Sequence, residues 1–229
     1  MLRIMIIKST KNFKLRRRIN PQRSINLDVT PHCNLKCPGC HRQKIYSDGK
    51  VPGEVLSVKN FEKIADYFDK IYMCGQVSDP SFHPDLKSLL EVVVKKNKRV
   101  VVSMASSWRQ PLWFEEMFNY SAQHNNNISW VFGIDGLPKD SHKYRKNQDG
   151  EKLFSMMELC ASKGIQTTWQ YIAFNYNEND IEEAKMLAKQ IGVTFKLTKS
   201  SRWEPKHGLD KYKPNNPNLF ITRSFSYNN

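Results

Sequence analysis

Three cysteines stand close together near the start of the chain, at Cys33, Cys37 and Cys40. Their spacing, C-x3-C-x2-C, puts three thiols on one short loop after a strand-like run at residues 24–30. Three thiolates on such a loop can hold three corners of a cubane iron–sulfur cluster and leave the fourth iron without a protein ligand. The spacing therefore predicts a [4Fe–4S] cluster with an open iron position, where chemistry takes place.

A structural zinc site is the alternative interpretation of these cysteines. His32 or His41 would complete a set of three cysteines and one histidine, which is a common zinc site. Most zinc knuckles use paired C-x2-C or C-x4-C hooks from separate segments, so the spacing favours the cluster. The zinc alternative implies a different class of protein, a zinc-stabilised nucleic-acid-binding module.

Composition sets the compartment and the size of the protein. The chain has 229 residues, 39% of them hydrophobic, and five cysteines, an odd number. This usage suits a metal site in a reducing compartment better than a disulfide framework. No apolar run approaches the roughly 18 to 20 residues of a membrane span. We therefore expect a cytoplasmic protein, in which Cys74 and Cys160 are small core residues.

The net charge of +14 is concentrated at the two ends of the chain. Residues 1–23 carry eight Lys/Arg and no acid, and residues 199–229 carry six Lys/Arg and two acids, which leaves only +2 for residues 24–198. Basic ends can contact nucleic acid, an acidic peptide or an anionic surface. Solvated, loosely ordered ends are the other interpretation, because terminal segments are commonly loose.

Strand-like and helix-like segments alternate through the middle of the chain. Hydrophobic periodicity predicts strands at 24–30, 70–74, 99–104, 128–134, 167–174 and 194–198, and helices at 58–68, 85–97, 111–123, 151–163 and 180–190. Short connections between alternating elements predict a parallel sheet with right-handed crossovers. Six units are too few for a closed eight-stranded barrel. We therefore expect an α/β fold, a partial (β/α)6 barrel, with the cysteine loop at the carboxyl edge of its strands.

Several motifs occur in the order found in one known family. Residues 75–80 (GQVSDP) follow the second predicted strand and resemble the Gly-Gly-Glu-Pro segment of the radical S-adenosylmethionine (SAM) superfamily. Residues 132–137 (FGIDGL), with Tyr144 and Arg145 behind them, resemble the Ser-Ile-Asp-Gly and Tyr-Arg stretch of the branch that includes peptide-maturing enzymes with SPASM extensions, and residues 169–178 resemble its fifth strand. The chain therefore resembles a radical SAM enzyme of the SPASM-related branch, from about residue 24 to 198.

The resemblance implies the chemistry of the site. Cys33, Cys37 and Cys40 would hold the [4Fe–4S] cluster, and the open iron would bind the amino and carboxylate groups of SAM. One electron passed into the sulfonium would give methionine and a 5′-deoxyadenosyl radical, which takes a hydrogen atom from substrate. A one-electron donor of the flavodoxin or ferredoxin type is then an expected partner.

The resemblance also implies the residues that contact SAM. Gly75, Ser78 and Asp79 would meet the methionine ammonium, Asp79 replacing the glutamate of the family with a shorter carboxylate. Arg145 would meet the methionine carboxylate by a charge-assisted fork. The remaining predicted contacts are the backbone of Gly39 at the adenine, Asp135 and Gln170 at the ribose hydroxyls, and Ser103 at the end of the third strand.

The chain departs from the family at three places. Gly39 stands where an aromatic residue often precedes the third cysteine, and Met104 follows Ser103 in place of the Thr of a Ser-Thr-Asn-Gly segment. No cysteine follows Cys160, so we expect one cluster and no auxiliary cluster. The missing Thr and Asn of the Ser-Thr-Asn-Gly segment leave a degenerate radical SAM scaffold, which binds cluster and SAM without catalysis, as a further alternative.

The expected organisation is a basic segment at 1–23, a radical SAM core at 24–198 and an irregular basic tail at 199–229. The tail is rich in Pro, Gly and Asn, and we expect it to build no second core. We expect either a minimal enzyme, or a chain that has lost the part that closes the barrel or obtains that part from a partner. A peptide or protein side chain is the favoured substrate, with RNA, a nucleotide or a sugar as the alternative.

Overall fold

The computed structural model describes residues 23–46, 50–203 and 208–221. Its six strands form one parallel sheet in the order β1-β2-β3-β4-β5-β6. The strands are β1 (Ser24–Asn26), β2 (Lys70–Met73), β3 (Arg99–Met104), β4 (Ile128–Gly133), β5 (Thr167–Ile172) and β6 (Thr194–Thr198). The helices are α1 (His41–Ile45), α2 (Val58–Tyr67), α3 (Leu86–Lys95), α4 (Pro111–Gln123), α5 (Gly150–Ser162) and α6 (Ile181–Gln190). The predicted α/β partial barrel is confirmed.

Local sequence signals begin and end the helices. The Ser57 side chain accepts a hydrogen bond from the Asn60 backbone N–H (3.3 Å) and caps α2, and the Asp149 side chain accepts one from Lys152 N–H (2.9 Å) and caps α5. Gly164 follows α5 with φ +74°, a left-handed conformation in which glycine has no Cβ penalty. These signals place each helix between two successive strands, so every strand reaches the same edge of the sheet.

The two faces of the sheet have different surroundings. In β3, Val100, Val102 and Met104 are buried in the main core, whereas Val101 and Ser103 between them are only half-buried. The same alternation occurs in β4 and in most of β5. Parallel sheets usually have both faces covered. Here the helices cover one face, and the other face is the concave, partly open interior of the partial barrel.

Strand β1 is shorter than the predicted run at 24–30. It ends at Asn26, although Leu27 N–H still donates to the Tyr72 carbonyl (2.9 Å). Beyond that point the backbone has other partners, since the Val29 carbonyl accepts from Leu56 N–H (2.9 Å). The alternating sequence therefore continues past the residue at which the chain leaves its neighbouring strand.

The C-terminal segment corrects one expectation. The tail was expected to build no second core, yet Trp203 and Leu209 are buried in a small apolar cluster with Tyr144, Ile172 and Phe174. Tyr144 and Phe174 stack at 4.2 Å between ring centroids. The aromatic side chains at the carboxyl end of β5 supply an apolar surface that the proline-rich tail covers.

Two further sequence expectations concern the ends of the chain and membranes. Residues 1–22, which carry most of the basic N-terminal segment, lie outside the described residues. In the part of the chain that the structure describes, no helix is long and apolar enough to cross a membrane. The expected domain boundaries at residues 23 and 198 stay predictions.

Candidate active site

One cavity lies at the carboxyl edge of the strands, with a volume of about 180 Å³. It brings together all the predicted site residues except Gly39 and Asp135. The predicted residues that line it are Cys33, Cys37, Cys40, Gly75, Ser78, Asp79, Ser103, Arg145 and Gln170. Residues from the loops after β1, β2 and β3 and from strands β4 and β5 therefore converge on one place.

The cysteine loop is a compact turn that leads into α1. Cys40 N–H donates to the Cys37 carbonyl (3.0 Å), and Cys40 precedes the first residue of α1. The buried Arg42 side chain fixes this helix, because its Nη1 donates to the carbonyls of Pro31 (2.6 Å) and Val77 (3.0 Å). These bonds hold the three cysteines in place relative to the loop after β2.

The three thiols are half-buried and share the cavity. Burial raises the pKa of Cys33 to about 12, and the nearby Asp79 carboxylate adds to this increase. Burial also raises the pKa of Cys37, to about 11, although the Arg145 charge opposes it. A cation or a cationic cluster at the site would favour the thiolate forms, since a coordinated thiol loses its proton.

The cysteine arrangement bears on the zinc alternative. Across residues 23–46, 50–203 and 208–221, no three His, Cys, Asp or Glu side chains are grouped so that they would hold one metal ion. A single zinc ion needs its ligands around one point. A cubane cluster binds each cysteine through a different iron, so its three thiols need not meet at one point.

The segment after β2 is folded around the carboxylate of Asp28. Gln76 N–H donates to Asp28 Oδ1 (2.9 Å), Val77 N–H lies 3.4 Å from the same oxygen, and the Ser78 hydroxyl also donates to it. Gly75 is needed at the start of this segment, since a Cβ there would lie 1.7 Å from the Ser78 carbonyl oxygen. The segment 75–78 is thus a tight backbone turn that lines the cavity.

Asp79 holds two loops together. Its Oδ1 accepts from the backbone N–H (3.0 Å) and the hydroxyl (2.6 Å) of Ser81, and its Oδ2 accepts from the N–H groups of Ala105 (2.7 Å) and Ser106 (2.9 Å). The side chain is almost fully buried, and burial raises the pKa of its carboxyl. The described role of Asp79 is therefore to join the loops after β2 and β3; its contact with the SAM ammonium stays a prediction.

Asp135 and Arg145 form a buried ion pair. Arg145 Nε lies 2.8 Å from Asp135 Oδ2, and the other carboxylate oxygen accepts from Ile172 N–H (2.9 Å). The two groups count as an ion pair because of this short distance, although the Arg145 Nε–H does not point at the carboxylate oxygen well enough to form a hydrogen bond. Attraction between the two charges does not require that alignment. Burial raises the pKa of Asp135, and Arg145 opposes that increase. Asp135 lies behind Arg145 rather than in the cavity lining, and its predicted ribose contact stays a prediction.

Gly133 lets the Arg145 side chain pass close to the backbone of β4. A Cβ at Gly133 would lie 2.9 Å from Arg145 Nη2 and 3.4 Å from the Ala105 Cβ. Gly133 pairs with Gln170 across β4 and β5, and both residues line the cavity. The guanidinium therefore crosses the end of β4 at a position without a side chain and reaches the cavity beside Gln170.

Gly39 lies outside the cavity, beneath the C-terminal segment. Its N–H donates to the Tyr144 hydroxyl (3.1 Å), and its carbonyl accepts from Arg202 Nη1 (3.4 Å). A Cβ at Gly39 would lie 2.3 Å from the Tyr144 oxygen and 3.0 Å from a methyl group of Leu209. Tyr144 and the tail therefore occupy the space that a larger residue at position 39 would need.

Sequence reasoning missed some residues of the site. Cys74 was expected in the core, but it is half-buried and lines the cavity just after β2. The two-residue period of the strand contained the signal: Ile71 and Met73 are buried, and Lys70 and Tyr72 alternate with them, so Cys74 is expected on the same face as Tyr72. Asp28 and Gly133 were also missed as site residues, because their roles depend on contacts with residues distant in sequence, the turn at 75–78 for Asp28 and Arg145 for Gly133.

Comparison with protein families decides what this arrangement is. Residues 27–188 match the family model described as "Radical SAM superfamily". The chain belongs to the radical SAM superfamily. Enzymes of this family use a [4Fe–4S] cluster and SAM. A comparison with curated proteins finds no significant match.

Solved radical SAM structures share the fold of this chain. Streptococcus suis SuiB, bound to S-adenosylmethionine, superimposes with a TM-score of 0.66 at 13% identity and covers 85% of this chain. Native anSMEcpe with bound AdoMet superimposes with a TM-score of 0.59 at 13% identity and covers 76% of this chain. The chain spans 44% of that SuiB chain and 51% of that anSMEcpe chain. At these identities the likeness shows the fold alone.

The residues of the cavity fit both radical SAM cofactors. Three thiols at one cavity are the ligand type that iron–sulfur clusters take. Gly75 allows the tight turn that lines one side of the cavity, and Gly133 allows the Arg145 side chain to reach it. Arg145 supplies a positive charge at the same cavity, and a fork of N–H donors suits a carboxylate.

Proposed function

We propose that this chain is a radical SAM enzyme that abstracts hydrogen from a peptide or protein side chain. The observation that carries the proposal is the meeting of Cys33, Cys37 and Cys40 with Arg145 and Gln170 in one cavity at the strand ends. When bound, the [4Fe–4S] cluster and SAM supply a 5′-deoxyadenosyl radical, the hydrogen-abstracting group. The side chains of the cavity position the cofactors and exclude competing reactions.

Each residue around the cavity then has a definite task. The three cysteines hold the cluster, and Arg145 binds the methionine carboxylate of SAM through its guanidinium. Gln170 lies beside Arg145 and contacts the ribose. The segment from Gly75 to Ser78 borders the methionine end, together with Ser103 beside it on the neighbouring strand β3.

Asp28, Asp79 and Asp135 act indirectly. Asp28 shapes the turn at 75–78, Asp79 joins that turn to the loop after β3, and Asp135 neutralises the buried part of Arg145. Preorganised positions of this kind keep a reacting group within reach of its target. In the proposed reaction these carboxylates keep the site in shape, and the direct contacts of Asp79 with the methionine ammonium and of Asp135 with the ribose stay predictions.

Two observations support a peptide substrate. SuiB has been solved with its precursor peptide SuiA, and anSMEcpe with a Kp18Cys peptide. In this chain the concave face of the sheet carries half-buried residues such as Val101 and Ser129 below the cavity, which leaves an open surface for a side chain to enter. The SPASM-related branch, a cytoplasmic location, and the alternative substrates RNA, nucleotide or sugar stay predictions.

Anaerobic reconstitution tests the proposal. The protein is loaded with iron and sulfide, reduced with dithionite and incubated with SAM, and 5′-deoxyadenosine is measured by chromatography. We expect about four irons per chain, as one cubane cluster requires, and formation of 5′-deoxyadenosine. Cys37→Ala loses the cluster and the product, whereas Cys160→Ala keeps both, because Cys160 is buried away from the cavity. A colourless protein that holds zinc and leaves SAM intact refutes the enzyme and favours the zinc-stabilised module.

A further inference from the structure

Three basic segments meet at the cysteine loop. Residues 32–46, 142–147 and 199–203 all contain Lys or Arg and no Asp or Glu. The first two segments touch where Lys36 N–H donates to the Lys146 carbonyl (3.0 Å), and the first and third touch where Arg202 Nη1 contacts the Gly39 carbonyl (3.4 Å). Segments distant in sequence therefore place their positive charges around the proposed cluster.

Some of these cations are already used within the protein. Arg42 is buried and holds the cysteine loop, Arg145 pairs with Asp135, and Lys143 pairs with Asp140 at 2.8 Å. Five others are exposed, and no ion pair among the described residues neutralises them: Lys36, Lys44, Lys146, Lys199 and Arg202. We call the four that lie in the segment 32–46 or contact it the basic face: Lys36, Lys44, Lys146 and Arg202.

The basic face keeps like charges together. Burial and the neighbouring Arg202 charge both lower the pKa of Lys44. Lys44 N–H also donates to the Cys40 carbonyl (3.2 Å), so this side chain starts one helical turn from a cluster ligand. Unpaired like charges repel one another, and an anionic partner relieves that repulsion.

The surroundings of the basic face favour a protein partner over RNA. Ile45, next to Lys44 on α1, is 60% exposed, and an apolar residue with charged neighbours suits a protein interface. Single-stranded RNA is bound by aromatic side chains on which bases stack. Of the Tyr, Trp and Phe residues in these three segments, Tyr144 and Trp203 are buried and Tyr46 is half-buried, so none presents a fully exposed ring on which a base could stack.

We propose that the basic face, with Ile45, is the docking surface for an acidic one-electron carrier of the flavodoxin or ferredoxin class. This inference rests on the proposed function, because that function needs an electron at the cluster. One electron passes from the reduced carrier, which is oxidised by one electron, to the cluster, which is reduced by one. No bond forms or breaks and no proton moves in this step.

A charge-reversal variant with a matched control tests the surface. The test variant is Lys36→Glu/Lys44→Glu/Lys146→Glu. The control, Lys95→Glu/Lys163→Glu/Lys189→Glu, makes the same charge change at the ends of α3, α5 and α6, at the opposite edge of the sheet, where Lys95 and Lys189 are exposed and Lys163 is half-buried. Binding of an oxidised, strongly acidic flavodoxin is measured by calorimetry at low salt and at about 0.3 M salt, where exposed charges are largely screened.

We expect the Kd of wild-type protein for flavodoxin to rise with salt, and the test variant to bind flavodoxin at least about tenfold more weakly at low salt. This is the behaviour of interfaces in which complementary charges attract the two partners. The control stays within about twofold of wild type. With dithionite as reductant, both variants form 5′-deoxyadenosine at the wild-type rate. With reduced flavodoxin, only the test variant slows.

Three results overturn the proposal. The first is flavodoxin binding that does not depend on salt. The second is flavodoxin binding that is weakened equally in the test variant and the control. The third is an unchanged flavodoxin Kd in a test variant that has lost RNA binding, which assigns the face to RNA. Failure of the proposed function gives a different result, since wild-type protein with dithionite then makes no 5′-deoxyadenosine. The binding measurement is independent of that outcome.

Discussion

The buried pair of Asp135 and Arg145 gives a quantitative prediction. Replacing Asp135 with Asn keeps the size of the side chain and removes its charge. The guanidinium of Arg145 then remains largely buried without the carboxylate 2.8 Å from its Nε. We expect a large loss of stability, because removal of one partner leaves an uncompensated buried charge.

The structure sets the size of the effect. Breaking a buried ion pair in this way costs about 3–5 kcal/mol. Asp135 is fully buried and the Arg145 side chain is 14% exposed, so solvent screens the pair only weakly. For a domain of this size, 1 kcal/mol corresponds to about 2–4 °C in Tm, which gives a decrease of about 6–20 °C. The reverse change, Arg145→Gln, leaves the carboxylate unpaired, and its cost is limited to about 4 kcal/mol because the acid can take up a proton at neutral pH.

A double-mutant cycle separates the pair from its surroundings. Urea unfolding of wild type, Asp135→Asn, Arg145→Gln and the double variant is followed by circular dichroism, without cofactors. We expect the double variant to lose less than the sum of the single losses, with a coupling energy of about 1–3 kcal/mol. Additive single effects, or an Asp135→Asn loss below about 1 kcal/mol, refute the interpretation of this contact as an energetically important ion pair.

Two further changes test the supports of the site. Tyr144→Phe removes the hydroxyl that accepts a hydrogen bond from Gly39 N–H, so we expect the free energy of unfolding to fall by about 1–3 kcal/mol and the cluster to be lost faster in air. The control Tyr120→Phe should leave both quantities unchanged. An unchanged rate of cluster loss in Tyr144→Phe would contradict a supporting role for this hydroxyl. His83 accepts from Asp85 N–H at Nδ1 (3.1 Å) and contacts the Leu56 carbonyl through Nε2 (2.8 Å), so it is neutral, and burial lowers its pKa. The unfolded chain then binds more protons than the folded one, so we expect the free energy of unfolding to fall as pH drops below about 6.5. Urea titrations at several pH values should show a weaker pH dependence for His83→Gln. The same pH dependence in wild type and variant would contradict a buried neutral His83.

The sequence predicts most of the sheet because its strands carry strong local signals. Strand β3 (Arg99–Met104) has the predicted bounds, since a run of valines ends at polar residues on both sides, and helix α4 begins at Pro111, which is favoured in a first helical turn. The cysteine loop is placed correctly because carboxyl ends of parallel strands share one edge. Hydrophobic periodicity and the residues that start and stop helices and strands are local properties, so a single sequence is enough to detect them.

Contacts between distant segments are what the sequence does not display. Asp135 follows a strand end, as predicted, but its position alone does not show that Arg145 crosses Gly133 to meet it. Likewise the tail is polar and rich in proline, and its composition does not show that Trp203 and Leu209 fit against Tyr144. Both contacts depend on the side-chain directions that the assembled sheet imposes, and these appear only in three dimensions.

The carboxylates of the site together determine which charge an entering ligand meets. Asp79 is the acidic residue that lines the cavity, and both its oxygens already accept hydrogen bonds from Ser81, Ala105 and Ser106. Arg145 lines the same cavity and is paired on its Nε side, so its remaining N–H groups provide the charge that a ligand meets first. A carboxylate therefore binds there more favourably than an ammonium group. For SAM, which carries both groups, we therefore expect the methionine carboxylate to bind at Arg145, while the contact of its ammonium with Asp79 stays a prediction.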